Sequence, residues 1–162
     1  MVLLALLAAA GVSLFVVESF VPMPLPFLKI GLANVSSLVA LLAFGFPSAL
    51  AVALVRIVAG SVLTGSLFGP GFLLSLSGGL SATCAMGAVR ATTGRVFGPV
   101  GLSLIGAAAH GMAQLLVVAA LFTGSSAVLS LLPLLLGSGF AGGLAVGWLA
   151  ARALPLLDPV HS

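Results

Sequence analysis

Charged side chains are almost missing from this chain. Its 162 residues include five lysine or arginine residues and two acidic residues, which together make up 4% of the sequence. A soluble domain carries about 25% charged residues, so the composition excludes an ordinary soluble protein. The formal net charge is +3, and so few basic residues cannot form a nucleic-acid-binding surface.

The shortage of acidic, cysteine and histidine residues excludes several kinds of catalytic site. Glu18 and Asp158 stand near opposite ends of the chain and cannot form a two-metal carboxylate site. The single cysteine, Cys84, cannot form an internal disulfide, and the two histidines lack metal-ligand spacing and a triad partner. The only lysine, Lys29, is in no P-loop motif. We therefore predict a binding protein with no catalytic residue, cofactor or metal site.

Apolar residues dominate instead. They account for 62% of the chain, and the mean hydropathy is +1.42. A membrane-spanning helix needs about 20 apolar residues, and the chain has room for six such helices with short connections. We predict an all-α integral membrane bundle of six transmembrane helices, forming a single domain over residues 1–162. The predicted spans cover residues 2–20, 34–44, 47–65, 72–90, 98–122 and 128–152.

One long interruption, Pro22–Asn34, separates the first two spans. Its three prolines at alternate positions cannot continue a helix, because each lacks an N–H and disfavours helical backbone in the preceding residue. Non-helical backbone at membrane depth is tolerated only where protein or water satisfies it. Lys29 and Asn34 add an amine and an amide to this apolar stretch. We predict that the segment forms a lid or wall of a binding site.

The basic residues set the predicted orientation. With six spans, Arg90, Arg95 and Arg152 all fall on one side of the membrane, and cytoplasmic loops carry an excess of lysine and arginine. We therefore expect both termini in the cytoplasm and the Pro22–Asn34 segment outside. The first stretch has no basic n-region and no small-residue cleavage site, which favours a first span over a cleaved signal peptide.

Arg56 lies near the middle of span three. Placing an arginine there costs roughly 2.5–3.5 kcal/mol on insertion scales, so the guanidinium needs a partner. The alternatives are Glu18, free backbone carbonyls and an anionic group of a ligand.

Other polar residues fall in the outer half of the predicted bundle. His110 and Gln114 are four residues apart and share one helix face, where the histidine has either a structural or a ligand-binding role. Ser75 and Ser77 give span four a small polar segment. We predict one outward-facing pocket with these substrate-binding residues: Lys29, Asn34, Arg56, Ser75, Ser77, His110 and Gln114. Basic and proton-accepting groups outnumber the nearby acid, which favours an anionic or carbonyl-rich molecule. A quinone-like or isoprenoid amphiphile also suits the apolar walls.

Small residues recur every four positions on two spans, at Gly139, Gly143 and Gly147 on span six and at Ala5 and Ala9 on span one. This spacing lets helices approach closely. The two stripes serve either packing within the bundle or docking of a partner membrane protein, and the sequence leaves that choice open.

Several motifs, in the same order along the chain, resemble those of the bacterial Gx transporter family, also labelled heptaprenyl diphosphate synthase component I. They span about residues 20–120 and comprise Lys29-Ile-Gly-Leu-Ala-Asn34, Arg56, Ser75-Leu-Ser-Gly-Gly79, and Gly106-Ala-Ala-Ala-His110 with Gln114. The chain departs from this pattern at Gly111, where the family usually has asparagine.

That family resembles the substrate-binding S components of energy-coupling factor (ECF) transporters. The resemblance implies six helices, an outward pocket under a loop that acts as a lid, and a location in the bacterial cytoplasmic membrane. It also implies a subunit that captures a small molecule and works with a separate ECF-type transmembrane coupling protein and ATPases.

The family label implies an alternative, a non-catalytic membrane component of polyprenyl (heptaprenyl) diphosphate synthesis. Prenyl synthases bind magnesium-diphosphate through aspartate-rich motifs, and this chain has one aspartate. A third alternative, a passive channel or a purely structural subunit, leaves Arg56 without a role.

Overall fold

The computed structural model describes residues 1–21 and 31–157, with the exception of the Ser126 side chain. Within these residues all regular structure is helical. The six α-helices are α1 (Val2–Phe20), α2 (Asn34–Phe44), α3 (Phe46–Leu63), α4 (Pro70–Thr93), α5 (Pro99–Val117) and α6 (Leu132–Ala153). A π-helical segment, Val118–Thr123, continues α5, and two 3-10 segments, Ser126–Leu131 and Leu154–Leu156, flank α6.

Proline and glycine set most helix boundaries. Helices α3, α4, α5 and α6 each carry a proline in the first turn, where its missing N–H is not needed. Gly45, between α2 and α3, has φ +87°, a conformation that favours glycine. Gly94 ends α4 with φ +62°. These residues convert one long apolar sequence into separate helices.

The predicted boundaries agree closely for the first two helices and shift for the others. Helix α4 is longer at both ends than the predicted span 72–90. Its first turn begins at Pro70, and its last turn continues to Thr93, just before Gly94. Helix α6 begins at residue 132 and not 128, since Ser125 accepts a hydrogen bond from the Ala127 N–H and starts a 3-10 turn there instead.

The described helices have the length and apolar character of membrane spans. Five are long and apolar enough to cross a bilayer: α1, α3, α4, α5 with its π-helical extension, and α6 with its flanking 3-10 turns. Large apolar side chains such as Leu6, Val58, Leu116 and Leu134 are exposed on their outer faces. The protein is therefore a multi-pass helical membrane bundle, which confirms the predicted fold class.

Helix α2 is the short member, with 11 residues, and it occupies the centre of the bundle. It contacts all five other α-helices, while α1, α3, α4, α5 and α6 pack side by side in that order around it. Leu38, Val39, Ala40 and Leu41 are buried at the core. Surrounding helices cover α2, so it does not need the length of a lipid-facing span.

The bundle has two chemically different ends, since short connections make consecutive helices antiparallel. One end, which we call the arginine end, contains the start of α1 and the end of α6, together with Arg90, Arg95 and Arg152. The other, the loop end, contains the end of α1, the start of α2 and the connections 64–69 and 118–131. All the predicted site residues within the described ranges lie between mid-bundle and the loop end.

The glycine stripe of α6 packs inside the bundle. A Cβ placed on Gly143 would lie 3.1 Å from Ala107 Cβ, and one on Gly147 would lie 3.2 Å from both Ser103 Cβ and the Pro99 carbonyl oxygen. Both glycines thus allow close approach of α5 and α6. On α1, by contrast, Ala5 and Ala9 are exposed.

Candidate functional site

Arg56 is buried, with 4% of its surface exposed, and its guanidinium bonds to the central helix. Nε donates to the Ser37 hydroxyl oxygen at 3.3 Å, and Nη2 donates to the side-chain oxygen of Asn34. Both acceptors are neutral groups on α2. The structure therefore supplies protein partners that offset part of the cost of burying this charge.

Glu18 binds the two backbone amides that immediately precede α2. Its carboxylate accepts hydrogen bonds from the Leu32 N–H at 2.7 Å and the Ala33 N–H at 3.3 Å. Amides at a helix start lack intrahelical acceptors, and the helix dipole favours an anion there. In the described part of the chain, Glu18 forms no direct ion pair with Arg56, although the two charges interact electrostatically. Helix α2 thus begins on the carboxylate of α1.

A cavity lies beside this polar cluster, between α2, α4, α5 and α6. It encloses about 540 Å³ of non-atom space including its open side, of which about 40 Å³ can hold the centre of a water-sized sphere. Little of this space is wide enough for a water molecule, so the cavity is narrow. Its polar lining residues in the described ranges are Asn34, Ser103, His110, Gln114 and Ser138, and its glycines are Gly31, Gly106, Gly111, Gly139 and Gly143.

The chemistry of their partners fixes how two amide side chains face the cavity. A guanidinium only donates, so Asn34 must turn its oxygen to Arg56, which leaves the Asn34 NH₂ group as a donor. The Leu74 carbonyl only accepts, and Gln114 Nε2 donates to it at 3.3 Å, which leaves the Gln114 oxygen as an acceptor. The cavity therefore offers one oriented donor and one oriented acceptor.

His110 reaches the same cavity from the middle of α5. Its imidazole packs against Gly78 of α4, where an added Cβ would lie 2.7 to 2.9 Å from three ring atoms. Glycine at position 78 therefore provides the space that the imidazole occupies. A Cβ placed on the next residue, Gly79, would lie 2.7 Å from Ile57 Cδ1 and 3.3 Å from Arg56 Nη2, so this glycine leaves space for those two side chains.

The structure brings together some of the predicted site residues and separates others. Asn34, His110 and Gln114 line one cavity, and Arg56 lies behind Asn34, outside the lining. Ser75 and Ser77 on α4 also lie outside it, and the Ser77 hydroxyl donates to the Leu74 carbonyl at 3.2 Å. Lys29 and most of the predicted lid fall outside the described residues. Within the described ranges, the cavity lining includes the titratable His110 but no acidic residue, lysine or arginine.

Sequence reasoning missed Ser103 and Ser138, which also line the cavity. Ser103 lies on the helix face of His110 and Gln114, seven and eleven residues earlier, so extending that face by two turns identifies it. Ser138 shows no such signal, because its position depends on how α6 is rotated against α5. Gly139 and Gly143, interpreted from sequence as packing or docking residues, line the cavity as well.

Comparison with known proteins supports one family assignment. A family model described as heptaprenyl diphosphate synthase component I matches residues 7–154. No curated protein and no solved structure matches the chain. The matched region includes all of α2 to α6, and with them the cavity and its polar residues. The chain therefore belongs to the heptaprenyl diphosphate synthase component I family, which is the Gx transporter family that its motifs resemble.

Proposed function

We propose that this protein is a substrate-binding membrane subunit, similar to the S components of ECF transporters. It captures a small molecule from outside the cell, and a separate energy-coupling module completes the import. The observation that carries this proposal is the cavity lined by Asn34, His110 and Gln114 near the loop end of a membrane bundle. In this role the chain binds and does not catalyse.

The cavity favours an amphiphilic substrate, and an anionic head group fits only at its Asn34 end. The described lining contains no acidic residue, lysine or arginine, but the Arg56 guanidinium bonds to the Asn34 oxygen from behind. That positive charge polarises the amide and makes its NH₂ group a stronger donor. An acceptor group of the substrate therefore belongs beside Asn34, and its less polar part belongs among the glycine, alanine and methionine residues deeper in the cavity.

The coupling partner is proposed to dock on α1. Ala5 and Ala9 are exposed and line an apolar groove between α1 and α3, together with Ala8 and Val55. The competing stripe on α6 is used within the bundle, since Gly143 and Gly147 are buried against α5. Small residues on α1 let a helix of an ECF-type transmembrane coupling protein approach closely, and its ATPases supply the energy.

The proposed orientation puts the arginine end in the cytoplasm of a bacterial cell and the loop end outside. Arg90, Arg95 and Arg152 are the basis for this orientation. Asn34 and Gln114, which line the cavity toward the loop end, then lie on the side from which a substrate arrives.

The family description favours a second candidate, a non-catalytic membrane component of heptaprenyl diphosphate synthesis. The chain has one aspartate, so it offers no aspartate-rich motif to bind magnesium-diphosphate. In this role it would hold a soluble synthase or its apolar product at the membrane.

Reconstitution separates the two candidates. Purified protein in liposomes, without partners, should not concentrate any compound of a bacterial extract against a gradient, because the chain has no energy source. Addition of the protein to a soluble prenyl diphosphate synthase should leave the yield and length of its product unchanged. Accumulation against a gradient by the chain alone would contradict the S-component role. A longer or more abundant prenyl product would support the second candidate.

A further inference from the structure

Two glycines that line the cavity are not required by helix packing. A Cβ placed on Gly111 would meet only Leu135 Cδ2, at 3.6 Å, and one on Gly139 would meet only the Ala107 oxygen, at 3.7 Å. Both are ordinary contact distances. The contacts are closer at two other lining glycines. A Cβ placed on Gly106 would lie 2.8 Å from Met86 Sδ, and one placed on Gly143 would lie 3.1 Å from Ala107 Cβ.

Glycine inside a helix is less favourable than alanine unless something needs the missing side chain. Close helix contact is the usual reason in membranes, and it does not apply at positions 111 and 139. What the missing side chains provide there is free volume in the cavity. Since only about 40 Å³ of the cavity can hold the centre of a water-sized sphere, each absent methyl group is a large part of the open passage.

A second observation indicates what the passage leads to. Ser103, with 5% of its surface exposed, lines the cavity and forms no hydrogen bond within the described residues. Other helix serines, such as Ser13 and Ser138, donate to the carbonyl four residues earlier. Unlike Ser61 Oγ, the Ser103 oxygen is not a fully buried atom without a partner. It is open to the cavity, where a bound molecule or water can supply the hydrogen bond that it lacks.

The position of Ser103 makes the cavity long. It precedes Gln114 by three turns on the same helix, a rise of about 16 Å along α5. Polar groups thus lie at both ends, with Asn34 and Gln114 toward the loop end and Ser103 deep in the bundle. Between them the described wall consists mainly of the His110 imidazole and of glycine, alanine and apolar side chains, and it contains no acidic residue, lysine or arginine.

We infer that the inner half of the cavity is a specificity slot for a narrow, uncharged arm of the substrate. Ser103 binds a hydrogen-bonding group at the far end of that arm, and Gly111 and Gly139 keep the slot open. This inference rests on the proposed function, which places the substrate's head group beside Asn34 and Gln114. Beyond that function, the slot specifies that the part of the substrate that enters the bundle is narrow and uncharged.

Thiol labelling tests the slot without knowledge of the natural substrate. In a Cys84→Ala background, Ser103→Cys is exposed to n-propyl methanethiosulfonate, which is neutral and linear, and to the anionic 2-sulfonatoethyl reagent. Each rate is normalised to that of the exposed Ser125→Cys. Ser61→Cys is the control for a buried hydroxyl position outside the cavity, and Ala107→Cys replaces Ser103→Cys if the latter fails to fold.

The neutral reagent should label Ser103→Cys about tenfold faster than Ser61→Cys. Adding Gly111→Ala or Gly139→Ala should slow the labelling of Ser103→Cys about tenfold, because each added methyl group narrows a cavity that has room for only a few water molecules. Gly137→Ala, at an exposed position with no atom near its added Cβ, should have no effect. Equal or faster labelling by the anionic reagent, or rates unaffected by the alanine substitutions, would overturn the inference.

Gln114→Cys separates this inference from the proposed function. If the anionic 2-sulfonatoethyl reagent, which does not cross the membrane, labels Gln114→Cys in intact cells, but Ser103→Cys reacts with the neutral reagent no faster than Ser61→Cys, the slot is wrong and the outward pocket stands. If Gln114→Cys is also unreactive, the outward pocket itself is contradicted.

Discussion

Arg56 donates a hydrogen bond to the side-chain oxygen of Asn34, and Asn34 lines the cavity. The buried charge therefore acts on the cavity through an intermediate amide. Arg56 is in this sense a positioning residue, because its guanidinium determines which end of the Asn34 amide faces a bound molecule.

The first prediction concerns this pair. Arg56→Gln should lower thermal stability in detergent, because a hydrogen bond to a charged group contributes about 1.5–3 kcal/mol. Asn34→Ala should also destabilise, and the double variant should show a coupling free energy of about 0.5–3 kcal/mol. Arg95→Gln removes the same charge at an exposed position and should leave the unfolding temperature unchanged. Strict additivity of Arg56→Gln and Asn34→Ala would show that their hydrogen bond has no energetic role.

The second prediction concerns Glu18. Glu18→Gln should destabilise by about 1.5–3 kcal/mol, since it removes the charge that accepts two backbone hydrogen bonds. Hydrogen exchange of the Leu32 and Ala33 amides should accelerate, while amides in the middle of α4 keep their protection. Because Asn34 and Ser37 hold Arg56, Glu18→Gln should not rescue Arg56→Gln. A rescue would mean that the two charges form the essential pair.

The third prediction concerns topology. In a Cys84→Ala background, Ser125→Cys at the loop end should react with a membrane-impermeant maleimide added to intact cells. Thr92→Cys at the arginine end should react only after permeabilisation. Both positions are exposed in the structure, so a difference in labelling reports the side of the membrane. Labelling of Thr92→Cys in intact cells would reverse the proposed orientation.

The fourth prediction concerns partner docking. Ala5→Leu fills the exposed groove of α1 and should weaken co-purification of an ECF-type coupling protein while leaving the unfolding temperature nearly unchanged. Gly143→Leu should instead destabilise the bundle, because Ala107 Cβ lies 3.1 Å from the position of its added Cβ. Val17→Leu, an exposed position on the same helix outside the groove, is the control for Ala5→Leu. Unchanged co-purification with Ala5→Leu would exclude this face.

The sequence was sufficient to predict the helices, because apolar runs, prolines and glycines act locally. The proline at the first turn of α3, α4, α5 and α6 is one example. The central position of α2 was not predictable in this way. Its 11 residues look too short for a span, and only contacts with five other helices explain them.

The candidate site was predicted only in part for a similar reason. His110 and Gln114 share a helix face, so their common location followed from spacing. The partners of Arg56 depend on how α2 and α3 are rotated against each other, and the sequence left them open. Gly139 and Gly143 show the same limit, since a small residue that serves packing and one that lines a cavity have identical spacing.

The most direct test of the central claim is mass spectrometry of the small molecules that co-purify with the protein. One compound should be present at near equal molar amount in the wild type and in Gly137→Ala. It should fall about 2- to 13-fold in Asn34→Ala and Gln114→Ala, as expected from the loss of a hydrogen bond of a neutral amide, about 0.5–1.5 kcal/mol. A compound retained equally by all four proteins, or no bound compound in any of them, would contradict a substrate-binding cavity.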